Sequence, residues 1–230
     1  MSRITALRVI LHTATSLDGR ITNFPADLEL YYTLAARWNP DAVLLGSSTI
    51  LAAPSLEVPE EHRKMFEPED PPEQDPRPLM VVVDSKGKIR CWDTLRTWPY
   101  MRALVALCST TTPSEYLEYL KEKGISTIIA GDDQVDMRAA LEELHKRYGV
   151  TIVRADCGGT LNSVLLRTGL VTEISVLIHP FLAGGTPCPT MFDPGHAGIS
   201  DLQVPLRQLS TEMPGNGIVW VRYAPVMEHP

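Results

Sequence analysis

Six short apolar runs, most of them separated by stretches with helical patterning, limit what this chain can fold into. The runs are apolar nearly throughout, which is typical of strands that are buried on both faces of a parallel sheet. Alternation of such strands with helices predicts βαβ units and therefore an α/β fold with a mostly parallel sheet. The predicted strands are Leu7–Thr15, Ala42–Gly46, Leu79–Asp84, Ala103–Cys108, Ser126–Ala130 and Val150–Ala155.

Residues that begin or end helices mark the stretches between these strands. Asp27 and Asp136 are placed to cap the start of two helices, because an aspartate side chain accepts hydrogen bonds from the first free N–H groups. Gly124 and Gly149 are placed to end two helices, because glycine readily adopts the left-handed conformation found there. The predicted helices are Leu28–Trp38, Ser114–Lys123, Met137–Tyr148 and Leu161–Arg167.

The last third of the chain has a different pattern. Three strand-like segments, Glu173–Ile178, Val204–Glu212 and Ile218–Tyr223, follow one another with no helical stretch between them. The turn residues Gly215-Asn216-Gly217 separate the last two, which predicts an antiparallel hairpin. We therefore expect a mixed, mostly parallel sheet flanked by helices, with an antiparallel C-terminal hairpin, in a single domain over residues 1–230.

Residues 54–78 interrupt this alternation with seven prolines and many acidic residues. Proline lacks the backbone N–H that helices and central strands need, so this density excludes both. We expect a long surface loop here. Two interpretations stay open at this point: a lid over a binding site, and an insertion without function.

Composition narrows the class of protein. Hydrophobic residues make up 44% of the chain and charged residues 21%, which supports a packed core and excludes a disordered chain. The 21 basic and 28 acidic residues give a net charge of −7, which does not suit binding to the phosphates of nucleic acid.

Other features indicate a cytoplasmic protein without a metal. The four cysteines lie far apart and show no C-x-x-C spacing, which favours reduced thiols. The apolar runs have the length of strands and are too short to span a membrane. The six histidines show no ligand spacing, so we expect no metal site.

Three loops with small and polar residues each follow a predicted strand. They are Ser16-Leu17-Asp18-Gly19-Arg20, Gly46-Ser47-Ser48-Thr49 and Asp156-Cys157-Gly158-Gly159-Thr160. In open α/β sheets, ligands bind at the carboxyl ends of strands, and the start of a following helix favours phosphate. Each loop alone is equally well explained as a tight turn or an ordinary helix cap.

Taken together and in this order, the loops resemble the pyrimidine reductases of riboflavin biosynthesis. That family has the dihydrofolate-reductase-like fold. The resemblance runs from Leu7 to Tyr223, and its most specific parts are Ser16–Arg20, Asp41–Thr49, Val81–Ser85 and Gly158–Leu161. It implies an NADPH-dependent reduction of 5-amino-6-(5-phosphoribosylamino)uracil, or of its 2,5-diaminopyrimidinone analogue, to the ribitylamino product.

The resemblance also implies roles for residues at matching positions. Asp18 and Asp156 are the candidate catalytic carboxylates. Lys86 and Lys88 stand close together in the sequence and would add positive charge for a 2′-phosphate, which the family itself does not require. The expected substrate contacts are Ser16, Arg37, Leu56 and Asp156. The expected cofactor contacts are Ala14, Gly46, Ser47, Thr49, Ser85, Gly158, Gly159, Thr160 and Leu161. For both carboxylates a structural role is the alternative, with Asp18 as a turn residue and Asp156 as an acceptor for backbone amides.

The sequence departs from the family pattern just after the second loop. Leu56-Glu57-Val58-Pro59 stands where the family has Leu-Thr-Val-Arg, and Ala52-Ala53-Pro54 stands where it often has aspartates. An arginine there would bind the sugar phosphate through a bidentate contact, and Arg63 is the nearby candidate replacement. Two alternatives therefore stay open: a related reductase of a pterin or another small substrate, and a non-catalytic nucleotide-binding module. The family further implies a homodimer.

Overall fold

The computed structural model describes residues 7–52, 75–185, 189–193 and 203–226. These residues fall into two compact units, which we describe separately. The first unit is built on Pro40–Thr151, and the second combines Ala6–Asn39 with Ile152–Pro230. Among the helices of the described residues, none has both the length and the apolar character needed to cross a membrane.

Nine strands and six α-helices make up the described chain. The helices are α1 (Leu28–Ala35), α2 (Ser47–Leu51), α3 (Trp92–Arg96), α4 (Ser114–Glu122), α5 (Met137–Tyr148) and α6 (Gly159–Arg167). The strands are β1 (Arg8–Ser16), β2 (Ala42–Gly46), β3 (Leu79–Val83), β4 (Ala103–Cys108), β5 (Ser126–Ile129), β6 (Ile152–Ala155), β7 (Glu173–His179), β8 (Leu206–Gly215) and β9 (Ile218–Pro225).

The first unit holds four parallel strands in the order β5-β4-β3-β2. Their apolar runs are buried, as expected for strands covered on both faces. One side of this sheet packs around the fully buried Trp92 and Tyr116, which α3 and α4 contribute. Helix α3 was not predicted, because its five residues are too short to show a helical period.

The second unit holds five strands in the order β6-β1-β7-β9-β8. Strand β1 is parallel to β6 and β7, while β7, β9 and β8 pair antiparallel. The hairpin between β8 and β9 turns at Asn216 and Gly217, whose φ angles of 53° and 70° fit a tight two-residue turn. The predicted fold class, a mostly parallel mixed sheet with an antiparallel C-terminal hairpin, is confirmed.

Helix α1 begins at a local capping residue and ends in a turn that packs a tryptophan into the core of the second unit. Asp27 caps α1 by accepting a hydrogen bond from the Leu30 N–H group, as predicted. The predicted helix to Trp38 is correct in extent, but Ala36–Trp38 is a 3₁₀ turn that ends at Asn39 in the left-handed conformation. This turn buries Trp38 in the same cluster as Trp220 of β9.

Candidate active site

A buried ion pair at the carboxyl end of β6 is the most distinctive polar feature of the second unit. The Arg154 Nε and Nη2 groups donate to the two Asp156 carboxylate oxygens, at 2.9 and 2.8 Å. The side chains are only 9% and 14% exposed. Two residues that are two apart on a strand project from the same face, which is why they meet. Burial lowers the pKa of Arg154, but the charge and hydrogen bonds of Asp156, together with Tyr31 and Tyr32, outweigh this effect, and the pKa lies above its ordinary value.

Two tyrosines of α1 face this ion pair. Burial raises the pKa of both Tyr31 and Tyr32, and the negative charge of Asp156 raises it further. The Tyr31 hydroxyl donates to the backbone oxygen of His12 at 2.8 Å. Tyr32 is 56% exposed as a whole residue but its hydroxyl end is surrounded by protein, and the Arg154 guanidinium carbon lies 5.9 Å from the centre of its ring. Both phenols therefore stay neutral beside the carboxylate.

His12 of β1 lies beneath Tyr31 in a chain of hydrogen bonds with a single consistent direction. The Trp220 indole, which can only donate, gives its N–H to the Ser175 hydroxyl at 2.8 Å. The Ser175 hydroxyl therefore donates to His12 Nδ1 at 2.9 Å, and His12 Nε2–H donates to the Tyr31 backbone oxygen at 3.1 Å. Burial lowers the pKa of His12 to about 4, so the ring is neutral near pH 7.

Asp18 holds two loops of the second unit together. Its carboxylate accepts hydrogen bonds from the Ser16 hydroxyl at 2.6 Å and from the Ala183 and Gly184 N–H groups at 3.0 Å each. These bonds lower the pKa of Asp18 far below its ordinary value, the Ser16 bond most of all. A carboxylate that stays ionised does not donate a proton, so the geometry favours the structural alternative for Asp18. Its predicted catalytic role stays a prediction.

The glycine loop after β6 leads directly into α6, as the sequence predicted. Gly158 is its N-cap in an extended conformation, and no side chain caps the first turn. Gly159 is buried, and a Cβ atom there would lie 2.5 Å from the backbone oxygen of Thr190 and 3.0 Å from the backbone nitrogen of Asp193. A side chain at Gly159 would therefore meet the chain's own backbone, and the expected contact of Gly159 with the cofactor stays a prediction.

The other residues of the second unit that were expected to bind ligands lie in β1, in the first turn of α6 and against the C-terminal hairpin. Ala14 lies in β1, beside Leu177 of β7. Thr160 and Leu161 follow Gly159 in the first turn of α6. Arg37 pairs with Glu212 at 3.4 Å and lies over the Trp220 ring, on the strands of the hairpin. That contact gives Arg37 a structural role, and its role toward substrate stays a prediction.

In the first unit, the predicted cofactor contacts lie at the carboxyl ends of β2 and β3. Gly46 ends β2 and is the N-cap of α2, which carries Ser47 and the exposed Thr49. Ser85 follows β3, and its hydroxyl accepts a hydrogen bond from the Val135 N–H group at 3.1 Å. The next loop side chains, Lys86 and Lys88, are exposed. Leu56, Arg63 and most of the proline-rich loop lie outside the described residues.

Arg154, Tyr32 and His12 belong to this site but were not singled out from the sequence. Arg154 offered a usable signal, because an arginine inside an apolar strand, two residues before an aspartate, indicates a same-face ion pair. The tyrosine and the histidine offered none, since their partners lie in distant segments. Across the described ranges, no three histidine, cysteine or carboxylate side chains lie close enough to hold a metal ion.

Comparisons with known proteins agree on one family. Residues 8–220 match the family model described as the RibD C-terminal domain. The 2,5-diamino-6-ribosylamino-4(3H)-pyrimidinone 5′-phosphate reductase of Archaeoglobus fulgidus is 32% identical over 193 residues, which cover 80% of this chain and 85% of that protein. The protein of the same name from Methanothermobacter thermautotrophicus is also 32% identical, over 80% of this chain and 83% of its own.

Solved structures confirm the fold. A pyrimidine reductase-like protein from Corynebacterium diphtheriae superposes with a TM-score of 0.71 at 14% identity, covering 96% of this chain and 93% of that chain. The riboflavin biosynthesis reductase Rib7 of Saccharomyces cerevisiae gives a TM-score of 0.68 at 21% identity, with 98% and 93% covered.

Proposed function

Because the chain belongs to the RibD C-terminal domain family, we propose that it is the reductase of riboflavin biosynthesis that acts on 2,5-diamino-6-ribosylamino-4(3H)-pyrimidinone 5′-phosphate with NADPH. The observation that carries this proposal is the similarity, through most of both chains, to two reductases of that name. The chain is an oxidoreductase of the kind that uses a nicotinamide cofactor. The choice of NADPH and of this pyrimidine is the further step that we propose.

We propose the start of α6, beside the segment of Thr190 and Asp193 that packs on Gly159, as the position for the phosphates of a dinucleotide. Gly158 places no side chain over the first turn, whereas Asp27 and Asp136 cap the starts of α1 and α5 with their carboxylates. Uncapped N–H groups at a helix start are donors for an anion. Helices α3 and α4 also begin without a side-chain cap, so the position at the carboxyl end of β6 is what supports the assignment.

The first unit supplies the charge that favours NADPH over NADH. Lys86 and Lys88 are exposed in the loop that Ser85 begins, in a chain whose net charge is −7. The Ser85 hydroxyl and backbone oxygen are hydrogen-bonded to Val135 and Thr112, which fixes the start of the loop. Two ammonium groups on a fixed loop suit the 2′-phosphate that distinguishes NADPH.

The protein's own groups bind and orient the pyrimidine. The reduced nicotinamide supplies a hydride when it is bound. Asp156, whose oxygens both accept from Arg154, presents acceptors toward the donor groups of the substrate. Asp18 fixes the Ser16 loop against Ala183 and Gly184, and it remains ionised there. The proton that balances the hydride then comes from Asp156 or from a water molecule that one of the two carboxylates holds.

The remaining predictions concern the oligomeric state, the domain organisation and the cellular location of the protein. We propose a cytoplasmic homodimer of single-domain chains. Strand β8 supports the dimer, because it is an edge strand of ten residues whose side chains are largely exposed, Met213 by 76%. An edge strand of this length is a surface with which a second chain can pair. Light scattering on the purified protein tests the dimer.

A substrate comparison tests the proposed activity. The purified protein is mixed with NADPH or NADH and with the diaminopyrimidinone phosphate, the uracil analogue or dihydrofolate, and the absorbance of the reduced nicotinamide is followed. We expect the fastest oxidation with NADPH and the diaminopyrimidinone. Oxidation with the pterin alone, or NADPH binding without oxidation of any candidate, would overturn the proposal.

A further inference from the structure

Burial of the Arg154 guanidinium costs free energy because the charge loses its hydration. The packing of the strand around it does not require a charged residue at this position. Its neighbours in β6, Val153 and Ala155, are fully buried apolar residues. A buried arginine with its carboxylate is often no more stabilising than apolar residues of the same size, because both charges lose their hydration. Stability alone therefore does not explain why this strand carries a charged residue.

The geometry of the pair fixes the carboxylate in one plane. Nε and one Nη of the same planar guanidinium bind the two oxygens of Asp156 separately, at 2.9 and 2.8 Å. Such a two-point contact sets the orientation of the acceptor as well as its charge. A carboxylate has about four lone-pair sites, so the two bonds from Arg154 leave acceptor capacity on both oxygens.

The surroundings leave part of that capacity available for a ligand, because the Tyr31 hydroxyl, which also interacts with Asp156, gives its proton to the His12 backbone oxygen. Asp156 is half-buried at the end of β6, directly before the loop that begins α6. The groups that face it from β1 and α1 are His12, Tyr31 and Tyr32. The His12 ring nitrogens bind Ser175 and the Tyr31 backbone, and the Tyr31 hydroxyl donates to the His12 backbone oxygen.

We infer that Arg154 is a positioning residue for the reaction, which holds the Asp156 carboxylate in the orientation that accepts hydrogen bonds from the amino and hydroxyl donors of the substrate. This inference rests on the proposed function and on the predicted contact between Asp156 and substrate. Arg154 acts through Asp156 and does not itself touch the reacting atoms. A lysine at this position keeps the charge but binds at one point only, so it loses the fixed orientation.

Steady-state kinetics of Arg154→Lys and Arg154→Met test this inference. We expect Arg154→Lys to raise the KM for the pyrimidine about 10- to 100-fold, by analogy with the effect of removing a group that orients a metal ligand. Arg154→Met should raise it further, while the NADPH dissociation constant stays within about twofold of the wild-type value in both. The control is Arg222→Lys, since Arg222 also pairs with a buried carboxylate of the same unit, through one hydrogen bond to Glu173 at 2.6 Å. It should leave the KM unchanged.

A double-mutant cycle keeps the test decisive if Arg154→Met does not fold. When one residue acts only through another, their effects on kcat/KM are not additive. The variant that combines Arg154→Lys with Asp156→Asn should therefore be no slower than Asp156→Asn alone. Additive losses, or an unchanged pyrimidine KM in Arg154→Lys, would overturn the inference. An inactive wild-type protein would instead overturn the proposed function.

Discussion

Acidification should destabilise this protein through His12, before its carboxylates begin to titrate. The pKa of His12 falls from 6.5 to about 4 because burial disfavours the charged ring. A pKa that is lower in the folded state means that the unfolded state binds the proton more tightly. The stabilisation is therefore fully present above about pH 6.5 and is lost as the pH falls toward about 4.

The size of the effect follows from the two pKa values. Between about pH 8 and about pH 5, proton linkage lowers the free energy of unfolding by roughly 2 kcal/mol, and the full loss below about pH 4 is roughly 3 kcal/mol. Asp18 contributes in a separate window, because its lowered pKa means that stability is lost only below its ordinary value of 3.8. At about pH 5 the loss of stability due to His12 can therefore be measured separately from that due to Asp18.

Urea unfolding followed by tryptophan fluorescence measures this dependence, and NMR titration of the ring measures the His12 pKa directly. The control is His12→Gln, whose amide does not titrate, and in which the loss between about pH 6.5 and about pH 5 should largely disappear. A His12 pKa at or above 6.5, or the same pH dependence in wild type and variant, would refute the reasoning from burial.

Three further predictions concern Gly159, Asp18 and the two loop lysines. Gly159→Ala should lower the free energy of unfolding by roughly 1–3 kcal/mol, because its Cβ would meet the Thr190 backbone oxygen at 2.5 Å; an unchanged urea midpoint would contradict this packing. Asp18→Asn removes the charge that binds two backbone N–H groups of residues 183 and 184, so hydrogen exchange at those amides should accelerate, while equal exchange rates would argue against the contact. Replacing Lys86 and Lys88 by Ala should raise the KM for NADPH about tenfold and leave that for NADH unchanged, and a parallel rise in both would exclude a 2′-phosphate contact.

Local signals determined the elements of this fold. Asp27 and Asp136 start α1 and α5 by hydrogen bonds to N–H groups two or three residues away, so the sequence around each helix contains the whole interaction. The turn at Asn216 and Gly217 is equally local, since it needs only residues that tolerate positive φ. The buried apolar strands were recognisable for the same reason, and with the order of the loops they indicated the family.

Contacts between segments that are distant in sequence decided which groups the candidate site residues touch. Asp18 binds the N–H groups of residues 183 and 184, and Gly159 makes room for the backbone of Thr190. Neither partner is visible in a local pattern, because only the folded chain brings segments so far apart in sequence together. The neutral state of His12 likewise depends on burial by segments that are distant in sequence, which outweighs the opposing effect of the hydrogen bond to the Tyr31 backbone oxygen. The sequence thus named the candidate residues, and tertiary structure decided which groups they contact and how far they are buried, since burial and partners set the chemistry of a side chain.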